Sequence, residues 1–161
     1  MIIAIDFDGT CVTHEFPKVG KEVGAVPVLN KLVSQGHQLV LFTMRSDIKS
    51  PKSKDYNIHT KGGKYLTAAV NWFKQHNIPL YGININPAQT GWTTSPKAYA
   101  QIYIDDAALG CPLIYNSELC NRPFVDWVAV YIALQNMGVL NKAEKVQVSD
   151  TTMLPNEQKA D

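Results

Sequence analysis

The stretch Ile2 to Thr10 (IIAIDFDGT) constrains this chain more than any other. From Met1 to Ile5 every residue is apolar or small, which predicts a strand buried on both faces. The run stops at Asp6 and Asp8, with Gly9 directly behind them. Side chains alternate along a strand, so the two carboxylates are expected on the same side, at the carboxyl end where open α/β sheets keep their ligand crevice. Two anions held so close repel each other unless a cation sits between them. The plainer reading makes Asp8 a cap of the following turn and Asp6 a solvated strand end.

A chain of 161 residues suits one domain with a proper core, and 45% hydrophobic against 18% charged residues is a globular balance. The net charge of +1 provides no general attraction to nucleic acid or membrane, although it leaves room for a local basic patch. No apolar run is long enough to span a bilayer, and Asp6 and Asp8 interrupt the place where a signal peptide needs its apolar region, so a cytoplasmic location is expected. Cys11, Cys111 and Cys120 form no CxxC pair and read as small apolar side chains. Cys11, close to the acids, is placed where thiol reagents could reach it, without a catalytic role.

Taken in order, Cys11 to Lys21 has no helical period and reads as a loop beside the acid pair. Val26, Leu29, Leu32 and Val33 then recur at helical spacing up to Gly36. Gln38 to Thr43 (QLVLFT) is a second buried strand, ending in the Thr43 hydroxyl with Arg45 close behind. Strand, helix and strand in that order indicate a parallel pair, which brings Thr43 to the same sheet edge as Asp6. Asp47 to Gly63 is a long polar loop, either a lid or disordered. Lys64 to Asn77 is an amphipathic helix, and Leu80 to Ile85 a weaker third strand. A polar loop from Asn86 to Pro96 leads past Lys97 to a fourth strand, Gln101 to Ile104, which again ends in two acids, Asp105 and Asp106. Leu113 to Tyr115 suits a short fifth strand, and Phe124 to Met137 a last helix, with Asp126 near its start. One domain over 1–140 and a polar tail over 141–161 complete the layout.

The predicted strand ends therefore deliver Asp6 and Asp8, then Thr43, then Asp105 and Asp106, with Lys97 just upstream of the last pair. Several carboxylates without a His or Cys cluster suit a hard cation, and Mg²⁺ fits best because it accepts a site completed by water and a substrate phosphate. A phosphoryl group needs its oxygens neutralised as charge develops, work for which Lys97, Thr43 and Mg²⁺ are donors of the right type. One carboxylate can then attack phosphorus while a neighbour protonates the leaving oxygen. Arg45 either reaches a phosphate or leaving group or is a solvated loop arginine. His14, one of four scattered histidines, is assigned no role.

DFDGT after the first strand, Thr43 after the second, Lys97, and then Asp105-Asp106 together resemble the haloacid dehalogenase (HAD) superfamily over about Met1 to Gly138. The resemblance implies a three-layer, Rossmann-like parallel sheet with helices on both faces. It makes Asp6 the nucleophile that forms an aspartyl-phosphate and Asp8 the general acid and base, with Thr43 and Lys97 on the phosphoryl oxygens. Mg²⁺ would be held by the Asp6 carboxylate, the Asp8 backbone carbonyl and Asp105, with Asp106 as a further or water-mediated ligand. Members that cleave carbon–halogen bonds lack the second Asp of the motif, so the presence of Asp8 implies phosphoryl transfer. Neither gap between motifs holds a cap domain. The expected partner is a phosphomonoester, with nucleotides and nucleic-acid ends among the candidates, and no obligate protein partner is evident. The competing readings are a receiver-like signalling domain that accepts phosphate, which the motif order disfavours, and a non-catalytic binding protein.

Overall fold

A computed structural model describes residues 1–48 and 62–141. The chain runs β1 (Ile2–Ile5), α1 (Ala25–Ser34), β2 (Gln38–Leu41), β3 (Asp47–Ile48), β4 (Gly63–Lys64), α2 (Tyr65–Gln75), β5 (Gly82–Ile83), β6 (Ile102–Ile104), β7 (Leu113–Ile114), β8 (Phe124–Val125) and α3 (Trp127–Asn136). Four strands form one parallel sheet in the order β5-β2-β1-β6. This is an α/β fold. β1 lies inside the sheet, with Ile3 and Ile5 opposite Leu39 and Leu41 on one side and opposite Ile102 and Ile104 on the other. Ile3, Ala4 and Ile5 are all buried, as the unbroken apolar run requires.

The steps from β1 to β2 and from β2 to β5 move in the same direction along the sheet. Right-handed crossovers then put α1 and α2 on the same face. Both helices share one core with Ile3, Ile5, Leu39 and Leu41, through Leu29 and Leu32 of α1 and Ala69, Trp72 and Phe73 of α2, and α3 joins it through Trp127, Val130 and Leu134. Each fully buried Ile, Leu or Phe among these contributes about 1.5–3 kcal/mol relative to exposure.

Helices on both faces, implied by the resemblance, are not found among the described residues. Ala4, Val40 and Tyr103 are in register on the second face, where the return from β5 to β6 passes with only a short 3₁₀ turn, Pro87–Gly91. The Tyr103 hydroxyl donates to the Ala98 carbonyl (2.6 Å), tying this segment to the sheet. Two buried amides replace the missing helical bonds. Asn86 caps the turn at the Ala88 N–H and donates to Tyr99 O, while Gln89 donates to Ser95 O and Lys97 O and accepts from the Tyr99 N–H.

Other elements shift from their predicted bounds. The third strand shrinks to β5 because Asn84 takes a left-handed backbone (φ 56°) and its side chain accepts from the Thr43 N–H instead of continuing the ladder. Leu113 and Ile114 pair antiparallel with Val125 and Phe124 rather than joining the main sheet, so the last helix starts at Trp127 and not at Phe124. Asp126 caps it, accepting from Val128 N and Ala129 N. The ends of the long polar loop meet, with Asp47 opposite Lys64 and Ile48 opposite Gly63. The rest of that loop, and the tail beyond 141, lie outside the described residues. No helix among the described residues is long and apolar enough to cross a membrane.

Candidate functional site

β1 and β6 are parallel neighbours, so the residues that follow them emerge at one edge, where Asp6 N–H donates to Ile104 O (3.0 Å). This register brings together acids that lie far apart in the chain. Carboxylate oxygens of Asp6, Asp105 and Asp106 all lie within 4.8 Å of one another. The Asp6 carboxyl is pushed up to about 7, first by burial, which a hydrogen bond with the Phe7 backbone opposes, and then by the charges of Asp105, Asp106 and Asp8. Burial also raises Asp106, opposed by His14 and Arg122 and reinforced by Asp105. Three half-buried carboxylates that repel one another in this way are the oxygen donor set a hard divalent cation takes.

The turn after β1 builds the support for this cluster. The N–H groups of Thr10, Cys11 and Val12 converge on Phe7 O, and Gly9 occupies a left-handed backbone (φ 80°) where a Cβ would overlap the His14 ring and press on the Asp106 carboxyl. Thr10, fully buried, touches both acid-bearing segments: its Oγ1 donates to Asp6 Oδ2 (3.4 Å) and accepts from Asp106 N (3.1 Å). Its carbonyl accepts from Trp127 Nε1 (2.7 Å), which anchors the site to α3. His14 Nε2 lies 3.1 Å from Pro123 O and 3.3 Å from Asp106 Oδ2. A carbonyl only accepts, so this nitrogen carries the hydrogen. Neither Thr10 nor His14 has an assigned role in the sequence. The signal for Thr10 was its place in DFDGT, whereas His14 had none.

The remaining expected site residues have other partners. The Asp8 carboxylate does not join the cluster, because regular alternation ends with β1 at Ile5. Instead Arg45 grips it from both sides, Nε to Oδ2 at 2.7 Å and Nη2 to Oδ1 at 2.6 Å. Arg45 is therefore not a solvated loop residue: it is 3% exposed, and its Nε and Nη2 donate to groups inside the protein. The Thr43 hydroxyl accepts from Arg45 N–H (3.2 Å) and so holds the arginine's backbone. Lys97 is exposed, with Nζ 5.5 Å above the Tyr103 ring, and no ion pair joins it to an acid among the described residues. Cys11 is fully buried, its Sγ donates to Asp6 O (3.3 Å), and burial together with the Asp6 charge pushes the thiol well up. The expected thiol reactivity is thus overturned.

A cavity of about 720 Å³ lies between α1, β7–β8 and α3, lined by Val28, Ile114, Phe124, Trp127 and Tyr131 among others. None of the clustered acids reaches it.

Fold and site together define an α/β protein with an acidic cluster at the carboxyl edge of a parallel sheet. No family model and no curated protein matches the chain. Among solved structures it is similar to a conserved protein coded by a locus of Bacteroides thetaiotaomicron, at 27% identity and a TM-score of 0.62, over 85% of this chain and 91% of that one.

Proposed function

We propose that this chain is a Mg²⁺-dependent phosphomonoester hydrolase of HAD type that works through an aspartyl-phosphate on Asp6, in the cytoplasm, with a reduced Rossmann-like sheet and no cap domain. The observation that carries the reading is the meeting of Asp6, Asp105 and Asp106 within 4.8 Å at the end of adjacent parallel strands. The Asp6 carboxyl, raised by burial and further by the neighbouring charges of Asp105, Asp106 and Asp8, fits a divalent cation held by the three clustered side chains and the Asp8 backbone carbonyl. When bound, Mg²⁺ supplies positive charge to the phosphoryl oxygens.

The chemistry then belongs to the chain's own groups. An Asp6 oxygen attacks phosphorus and the bond from phosphorus to the leaving oxygen breaks, while Asp8 gives that oxygen a proton. Water then attacks phosphorus, Asp8 takes its proton, and the Asp6 ester opens to release phosphate. Lys97 and Thr43 serve the phosphoryl oxygens in this reading, which requires both to exchange their present partners for substrate.

With 4-nitrophenyl phosphate and Mg²⁺ the protein is expected to turn over, and Asp6→Asn to reduce release of nitrophenol to background. A fully active Asp6→Asn would refute the covalent route. The three-carboxylate cluster alone also fits a second reading, a non-catalytic cation-binding protein; Mg²⁺ binding without turnover of the phosphomonoesters tried would favour it.

A further inference from the structure

Arg45 is the one fully ionised side chain in the buried class among the described residues. Its guanidinium lies between two phenyl rings, with Cζ 4.9 Å from the Phe7 centroid and 5.3 Å from that of Phe16. One edge holds both oxygens of Asp8, Nη2 also donates to Lys18 O (2.7 Å), and Nη1 is buried with no acceptor. The backbone is pinned as well, since Arg45 N–H donates to Thr43 Oγ1 and Thr43 N–H to Asn84 Oδ1.

Packing does not account for this placement. A slot between two phenyl rings is filled at less cost by an apolar chain than by a cation that must be desolvated and leaves the two N–H groups of Nη1 orphaned. What the guanidinium provides there is a rigid two-point hold on Asp8. The two ends of the pair differ in exposure: the Arg45 side chain is 1% accessible and the Asp8 side chain 21%. An ionised carboxylate has about four lone-pair sites, and the fork uses one on each oxygen, so Asp8 keeps an unused site on each. A buried, immobile cation thus orients a partly open acid.

We propose that Arg45 is a positioning residue, whose fork orients Asp8 so that a proton carried at a carboxyl site the fork leaves free meets the leaving oxygen of a phosphomonoester at Asp6. The proposal rests on the phosphohydrolase reading. In the step concerned, the bond from phosphorus to the leaving oxygen breaks, its electron pair stays on that oxygen, and the proton arrives from Asp8; the water of the second step returns a proton to Asp8.

A leaving group that departs readily as an anion needs that proton little, and a basic one needs it strongly. The test is a series of aryl phosphates of similar shape, from 4-nitrophenyl to 4-methoxyphenyl, hydrolysed with Mg²⁺ by the unaltered protein, Arg45→Lys, Arg45→Met, Asp8→Asn and Asp8→Asn/Arg45→Met. Thermal unfolding confirms that each variant is folded, and Arg45→Lys keeps the charge and the stem should Arg45→Met fail to fold. In both Arg45 variants kcat is expected to fall about 10-fold for the nitrophenyl ester and about 10²-fold for the methoxyphenyl ester, with KM within about twofold. Adding Arg45→Met to Asp8→Asn should bring no further loss. An equal loss across the series, or a further loss in the double variant, overturns the positioning role. An unaltered protein that hydrolyses none of these esters overturns the phosphohydrolase reading, and the Arg45 role with it.

Discussion

Asp6 keeps its proton to about pH 7 in the folded protein, against an ordinary value of 3.8. Between those limits the folded state binds more protons than the unfolded chain, so stability falls as pH rises through this window; Asp106, also raised, adds to the same trend. A divalent cation competes with these protons and relieves the same repulsion. In chelator, Tm is therefore expected to decline from about pH 4 to about pH 7, and Mg²⁺ to raise Tm more at about pH 8 than at about pH 5. A Tm indifferent to Mg²⁺ at about pH 8 would show that the three carboxylates do not hold the ion. Asp6, Asp105 and Asp106 stood out in the sequence because acids seldom close an apolar run. The Arg45 fork on Asp8 and the link from His14 to Asp106 did not, since each joins residues from separate segments with no periodic pattern to connect them.

Among the elements, local chemistry and tertiary pairing compete most visibly just before α3. Phe124 and Val125 fit the apolar spacing of the helix that follows, yet they pair with Ile114 and Leu113, and Asp126 starts the helix afresh. Asp126→Ala removes the acceptor of two N–H groups and is expected to cost about 1 kcal/mol in urea unfolding. A change under a few tenths would mean that β8 and the Trp127 anchor define the helix start without the cap. The 84–101 connection illustrates the converse. Asn86 to Pro96 reads from its sequence as a polar loop, but nothing local marks Asn86 and Gln89 as the buried residues that hold it against the sheet.

At the scale of the whole molecule, the site depends on one core that keeps β1 and β6 in register. Phe73 is fully buried in that core and touches Phe7 at 6.1 Å and Trp72 at 5.0 Å, so Phe73→Ala is expected to lower unfolding free energy by about 3–5 kcal/mol, read by denaturant titration. A loss under about 1 kcal/mol would show that the core refills the space. From the sequence alone came the α/β class, the buried strands and their order of helix and strand, and the acids waiting at strand ends, because these follow from periodicity and from residue types at particular positions. Only the tertiary structure decided that the three α-helices of the described residues share one face, that Asp105 and Asp106 come within 4.8 Å of Asp6 while the Asp8 carboxylate stays out of the cluster, and that Asp8 is held by a buried arginine. Those outcomes depend on crossover handedness and strand register, which act between segments far apart in the chain and leave no trace in the local pattern of either.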